Sequence, residues 1–327
     1  MKRRDFVMLL GSAAVAWPLG ARAQQSERRV TVLMPIGEDD PDARAISDAF
    51  SQVLAPKGSA SGGNVQIDFR WAIDNADKVK AALAELQEHP PDVVVASTSQ
   101  TVAALLRAAP AIPLVFAMIY EPVAQGFVQS LAHPGGNATG FTAMEASIGA
   151  KWLELLWEMV PGLARVAYMC NPSNPGPQQP YPAAAAAGRN HRIAVTLAGV
   201  HGATDIEAAM KTLAREPGGG LIVPPDGFLI NYSNLIIDLA ARERLPAIYG
   251  FPYFAAQGGL ASYGVKLLEQ FRQAAVYVDR ILHGEKPANL PVQEPTKYAL
   301  VINLKVAKTL GLNISPSVLA IADDVIE

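Results

Sequence analysis

Three consecutive hydroxyl side chains, Ser97, Thr98 and Ser99, follow an apolar run at residues 92–96 and directly precede a helical pattern. The first N–H groups of a helix have no intrahelical partner and carry a partial positive charge. Hydroxyls added to them make a seat for a carboxylate. Ser and Thr also cap helices routinely, yet a cap uses one residue and three are present. Asp226 follows a second apolar run, between Pro225 and Gly227. Its charge suits a ligand ammonium, and its type equally suits a turn. Asn171, ahead of Pro172, offers a donor or shapes a turn in the same way. Glu121, with Pro122 after it, is a ligand contact or a solvated cap. Tyr120, Tyr249, Phe251 and Tyr263 stand at the ends of apolar runs or in loops. Together they suit the lining of an aromatic pocket, and singly they suit ordinary core packing.

This is chemistry for holding a ligand rather than for turning one over. The chain has no G-x-S-x-G elbow, no phosphate-binding loop and no dinucleotide fingerprint. Gly218, Gly219 and Gly220 precede a strand pattern rather than a helix, so they are not a phosphate cradle. His89, His133, His191, His201 and His283 are scattered without metal-ligand spacing and read as surface or loop residues. Cys170 stands alone, which leaves no disulfide within the chain and no thiolate zinc site, and reads as a small buried apolar residue. No cofactor and no metal are expected.

The elements that position these groups are centred on residues 113–142. Leu114, Val115 and Phe116 form the short apolar run of a strand buried on both faces. Pro122 suits the first turn of a helix. Val123, Phe127, Val128 and Leu131 then share one helical face, and Pro134, Gly135 and Gly136 end the pattern. The loop at 118–121 thus lies at the carboxyl end of a strand, where open α/β sheets bind ligands. Upstream, the pattern predicts strands at 29–34, 65–71 and 92–96, with helices at 43–54, 77–87 and after Gln100. Residues 137–142 are a fifth strand. The rhythm then restarts with a helix marked by Ile148, Trp152, Leu155, Leu156 and Met159, on which Trp152 and Trp157 read as packing residues. Strands follow at 165–169, 194–198, 221–223 and 246–249, and helices at 182–192, 205–215 and 235–244. Such alternation implies α/β lobes with parallel sheets and right-handed crossovers, here two in tandem divided near residue 142. The tail predicts a strand at 258–264, a long helix marked by Phe271, Ala274, Ala275, Val278 and Leu282, a strand at 298–302, a helix at 304–310 and a last short helix at 317–325. It is too short for a third domain and instead completes both lobes.

With 327 residues, half of them hydrophobic and 17% charged, the chain can bury a substantial core. Its first 23 residues read as a leader: a basic start with Arg3 and Arg4 paired and Phe6 two residues on, a modest apolar stretch at 7–20, and Ala21, Arg22 and Ala23 as a cleavage signal. The paired arginines resemble a twin-arginine export signal, with general secretion as the alternative route. Removing the leader's four basic residues and one acid takes the formal net charge from −3 to −6, which gives no sign of nucleic-acid binding.

Glu121, Pro122 and Val123 with Gly126, then Ser130, Leu131 and Ala132, then Pro134 to Asn137 with Thr139 and Gly140, resemble the signature of a family of bacterial ABC-transporter substrate-binding proteins, related to tryptophan- and phenylalanine-binding receptors. Leu245 to Tyr249, Gly258 to Leu260, Ser262 to Gly264, Pro295 to Lys297 and Val301 to Leu304 agree, so the likeness spans nearly the whole chain after the leader. The resemblance implies a periplasmic-binding-protein fold of the first type: two Rossmann-like lobes joined by a three-stranded hinge, with a ligand held between them. The expected lobes are residues 24–141 with about 265–290, and 142–264 with about 291–327. It further implies a periplasmic monomer that delivers a small organic solute, such as an aromatic or other amino acid or an aromatic carboxylate, to an ABC permease. A sensor or chemoreceptor subunit of the same fold is the alternative, and a periplasmic enzyme a more distant one. Two departures stand out: Glu121 replaces the family's usual Asp, and the loop at 58–63 differs from the usual turn.

Overall fold

The structure, a computed structural model, describes residues 28–54 and 65–327. The expected leader and the loop at 58–63 lie outside the described residues. In the first lobe the apolar runs form strands β1 (Arg28–Leu33), β2 (Val65–Arg70), β3 (Val93–Ala96), β4 (Leu114–Ile119) and β5 (Ala138–Thr142). Helices α1 (Pro41–Leu54), α2 (Ala76–Glu88) and α3 (Ser99–Ala108) connect the first four. All neighbours pair in parallel, in the order β2-β1-β3-β4-β5. β3, β4 and β5 are buried along their whole length, as strands covered on both faces must be.

The second lobe continues with α4 (Ile148–Met159), β6 (Arg165–Cys170), α5 (Tyr181–His191), β7 (Ala194–Gly199), α6 (Ala203–Ala214) and β8 (Gly219–Val223). Then come α7 (Gly227–Asn231), α8 (Ser233–Arg242), β9 (Ala247–Tyr249), α9 (Pro252–Ala256) and β10 (Ala261–Gly264). The long α10 (Leu267–Leu282) returns to the first lobe, where it packs against α1 and across β3, β4 and β5. Its buried stripe of Phe271, Ala274, Ala275 and Val278 fixes that docking. Full burial of Phe271 or Val278 contributes about 1.5–3 kcal/mol each. The chain ends in β11 (Ala299–Asn303), α11 (Leu304–Leu310), α12 (Pro316–Ala320) and β12 (Asp324–Ile326). The second sheet runs β12-β11-β10-β9-β8-β6-β7. Its pairs are parallel except β10 with β11, which is antiparallel because the chain re-enters the sheet from the other lobe. The chain therefore crosses between sheets three times, at 143–147, 265–266 and 294–298.

Three local expectations are corrected. The helix predicted over 122–131 is a set of turns. One helical turn closes, with Gln125 N–H donating to the Glu121 carbonyl at 3.0 Å, but Gly126 takes φ +74° and Phe127 N–H donates back to the Pro122 carbonyl at 2.9 Å, the pattern that ends a right-handed helix. Val123, on the buried face in that pattern, is exposed. The predicted last helix at 317–325 ends at Ala320, and the chain then joins the sheet as β12. Asp323 draws it in: its carboxylate accepts the Leu300 N–H at 2.8 Å, and its own N–H donates to the Leu300 carbonyl at 2.8 Å. Residues 291–293, assigned above to the second lobe, lie along β5 of the first sheet, where Gln293 N–H donates to the Gly140 carbonyl and Thr142 N–H to the Gln293 carbonyl, both at 2.9 Å.

Candidate functional site

The carboxyl ends of β1, β3 and β4 face those of β6, β8 and β9 across a narrow cleft. Within it lies a cavity of about 40 Å3. Ile36 after β1, Ser97, Thr98 and Ser99 after β3, and Tyr120 after β4 line one wall. Asn174 after β6, Asp226 after β8 and Phe251 after β9 line the other.

The three hydroxyls are divided between two tasks. Thr98 is the N-cap of α3, its Oγ1 accepting the Thr101 N–H at 3.2 Å. Ser97 and Ser99 flank the cap. Ser97 Oγ has only a weak contact, 3.9 Å to Met34 Sδ. Ser99 Oγ accepts a hydrogen bond from Gln125 Nε2 at 3.0 Å, and the same amide donates to the Tyr120 carbonyl. By helix geometry the Ser99 and Gln100 N–H groups have no intrahelical acceptor. Thr98→Ala should therefore cost about 1 kcal/mol of stability through the lost cap, seen as a lower unfolding midpoint in denaturant.

Tyr120 is buried, and its hydroxyl has no hydrogen-bond partner. Burial, and secondarily the Asp226 carboxylate, hold its phenol well above the ordinary value, so it stays neutral. β4 carries a register shift between Phe116 and Ile119, and Met118 (φ 60°) and Glu121 (φ 42°) take left-handed backbone. Such conformations cost on the order of 1–3 kcal/mol each and collect where a side chain must be aimed.

Asp226 is the N-cap of α7 and is 4% exposed. Its Oδ1 accepts the Phe228 N–H at 3.0 Å and the Asn174 amide at 3.3 Å. Its Oδ2 has no partner, and neither has Asn174 Oδ1. Burial pushes the carboxyl up to about 6, against the opposing hydrogen bonds from Phe228 N–H and the Asn174 amide. Two buried acceptors thus line one wall with nothing to accept. Asn174, Gly176 and Gln125 are site residues that the sequence reading missed. Asn174 lies in the same Asn-Pro-Ser-Asn-Pro turn as Asn171, so its type was visible there but its direction was not.

Six of the expected ligand residues line this cavity: Ser97, Thr98, Ser99, Tyr120, Asp226 and Phe251. The other five do not. Asn171 does not line the cavity, and its side chain holds the turn by accepting the Ser173 N–H at 3.0 Å. Glu121 and Pro122 fall beyond the rim, because the left-handed residue at 121 turns the chain away. Tyr249 is fully buried behind the cavity, stacked on Phe254 at 4.7 Å. Tyr263 stacks on Tyr298 at 5.7 Å beside the crossings. Cys170 is buried beneath the second wall, and burial pushes its thiol up to about 11, as a packing residue requires. Among the described residues no three His, Cys, Asp or Glu side chains gather as metal ligands, and no helix is long and apolar enough to cross a membrane.

With this geometry in view, the chain is similar to several known proteins. A tyrosine-binding protein of Clostridioides difficile (strain R20291) is 23% identical over 84% of this chain and 79% of its own length. A conserved domain protein from Vibrio cholerae overlays with a TM-score of 0.81 at 26% identity, covering 91% of this chain and 99% of that one. The ABC domain in complex with L-Trp from Streptococcus pneumonia gives 0.81 at 23% identity over 92% and 100%. A ligand-free, open substrate binding protein with adhesive properties from Clostridium difficile gives 0.63 at 21% identity over 91% and 99%. These likenesses share the type I periplasmic-binding fold. The model of the ABC transporter substrate binding protein family matches residues 29–326, and the chain belongs to that family.

Proposed function

We propose that the protein binds an amino acid, aromatic ones foremost, in this cleft and delivers it to an ABC importer. One observation carries the reading: opposite chemistries face each other across a single narrow cavity. Asp226 Oδ2 and Asn174 Oδ1 are buried acceptors without donors on one wall, and the Ser97 and Ser99 hydroxyls with the start of α3 are donors on the other. A zwitterion matches both, with its ammonium on Asp226 and Asn174 and its carboxylate on the α3 seat. Tyr120, Phe251 and Phe271 supply an apolar wall for the ligand's side chain. The tyrosine and tryptophan of the relatives' names support the same class.

A cavity of about 40 Å3 has room for a few waters. An amino acid therefore enters with the lobes apart and is enclosed by motion about the three crossings. Closure already has contacts of its own: Asn231 on α7 donates to the Pro35 carbonyl at 3.2 Å and to Asp74 Oδ2 at 3.3 Å, both across the cleft. The better overlay on the tryptophan complex than on the open relative supports a closed arrangement. The closed monomer, exported by its leader to the periplasm, is the form the inner-membrane permease reads.

A thermal-shift screen of L-tyrosine, L-tryptophan, L-phenylalanine, aromatic carboxylates, sugars and nucleosides tests the class. A ligand at a hundredfold excess over its dissociation constant stabilises the native state by about 2.7 kcal/mol, a shift of several degrees. A response to sugars or nucleosides alone would overturn the reading. Ser97→Ala combined with Ser99→Ala should weaken amino-acid binding by about 2 kcal/mol, roughly 1 per lost hydrogen bond. Unchanged affinity in calorimetry, with intact folding, would remove the carboxylate seat.

A further inference from the structure

Gln125 lies in the turn after β4, where its own N–H donates to the Glu121 carbonyl at 3.0 Å. It does not line the cleft cavity, but its side chain reaches two residues that do. Its Nε2 stands 3.0 Å from Ser99 Oγ and also meets the Tyr120 carbonyl. These two contacts fix the amide. A carbonyl oxygen only accepts, so the amide nitrogen and not its oxygen faces Tyr120. An amide nitrogen only donates, so Ser99 Oγ must be the acceptor in the second bond.

The Ser99 proton is then committed elsewhere. A hydroxyl has one hydrogen and two lone pairs, and Gln125 occupies one of the lone pairs. Among the described residues Ser99 Oγ has no other hydrogen-bond partner. Ser99 is the first residue of α3 and stands on the cavity wall, 4% exposed. Gly176 of the second lobe covers it: a Cβ built there would lie 2.9 Å from Ser99 Oγ and 3.3 Å from Tyr120 Cδ2. The hydroxyl therefore sits on the face that the second lobe closes over, and parting the lobes uncovers it. Ser97 differs, since its Oγ has only the weak contact to Met34 Sδ and no donor to set its direction.

We propose that Gln125 is a positioning residue: by donating to Ser99 Oγ, it commits the Ser99 proton to the ligand's carboxylate. The proposal rests on the amino-acid reading of the cleft and adds the device that gives the carboxylate seat its polarity. A hydroxyl held as a donor before the ligand arrives need not be reoriented on binding. The seat then favours an acceptor, and the ligand's ammonium is left to the Asp226 wall.

A double-mutant cycle tests this. L-Tyrosine, L-tryptophan and L-phenylalanine are titrated calorimetrically into the parent, and the tightest binder is carried through the variants. Gln125→Met keeps the length of the side chain and removes the donor. It should weaken binding about fivefold, the worth of one hydrogen bond, and so should Ser99→Ala. The double variant should bind no more weakly than Ser99→Ala alone, because Gln125 acts through Ser99. Gln125 is half-buried in a surface turn, and unfolding midpoints for each variant check that the fold is kept. Gln125→Ala, which loses the same donor with less bulk, should give the same cycle. If Ser99→Ala weakens binding while Gln125→Met does not, or if the two losses add, the positioning role is overturned and the amino-acid reading stands. If the parent binds none of the three amino acids, both fall.

Discussion

Asp226→Asn is expected to weaken amino-acid binding by roughly a hundredfold or more. The substitution keeps the shape of the side chain and an acceptor at Oδ1 for the Phe228 N–H and the Asn174 amide. It removes the charge at Oδ2, the oxygen that has no partner within the protein. A ligand ammonium enclosed in this cleft would then be buried without its counter-charge, and truncating one member of such a pair costs about 2–5 kcal/mol. The control is a ligand that never had the ammonium. A desamino analogue such as 3-(4-hydroxyphenyl)propanoate should bind the variant no worse than the parent. Equal losses for L-tyrosine and its desamino analogue would sink the ammonium assignment. The pH dependence provides a second readout. Because the Asp226 carboxyl is pushed up to about 6, the parent should lose affinity for an amino acid progressively as pH falls below about 6, while the variant should show no such loss.

The same substitution should make the ligand-free protein more stable at neutral pH. The Asp226 carboxyl titrates near 3.8 when solvated and at about 6 when folded, chiefly because burial disfavours the carboxylate. A group raised in this way contributes its stability below the unfolded value and loses it as pH rises through the folded value. The window here runs from about pH 4 to about pH 6, and a difference of about two units amounts to roughly 3 kcal/mol. Above pH 6 the fold carries a desolvated charge whose second oxygen is unpaired. Asp226→Asn should therefore raise unfolding stability at pH 7 by up to about 3 kcal/mol and have little effect at pH 4. Denaturant midpoints for parent and variant at the two pH values check this. A variant that is no more stable at pH 7, or equally stabilised at pH 4, would show that burial does not strain this carboxylate. The two expected results belong together: the group that recognises the ammonium destabilises the empty site.

The sequence by itself determined the architecture. Strands β3, β4 and β8 read as apolar runs because both faces of an inner parallel strand are covered, and the helices between them read from a single stripe. That rhythm placed Ser97, Thr98, Ser99, Tyr120, Asp226 and Phe251 at the carboxyl ends of strands, and the fold brings these six to one cavity. Local signals failed where local and tertiary demands differ. The apolar residues at 123–131 have helical spacing, yet Gly126 at φ +74° breaks the turn, a choice that packing makes and periodicity cannot show. Residues 324–326 gain their strand only from β11, a partner that lies beyond α11 and α12 in the chain and outside the reach of any local pattern.

Only the tertiary structure separated ligand wall from core among like residue types. Tyr249 ends β9 and Phe251 lies two residues on, but one stacks inward on Phe254 and the other faces the cleft. Thr98 and its neighbours look alike in sequence, and the register of α3 alone makes Thr98 the cap and leaves Ser97 and Ser99 to the cleft. Gln125 carries no pattern at all, and the turn at 171–175 shows the type of Asn174 but not its direction. Their meaning comes from which partners the folded chain provides, because a polar atom demands a ligand only once burial has taken water away and the protein has left it unpaired.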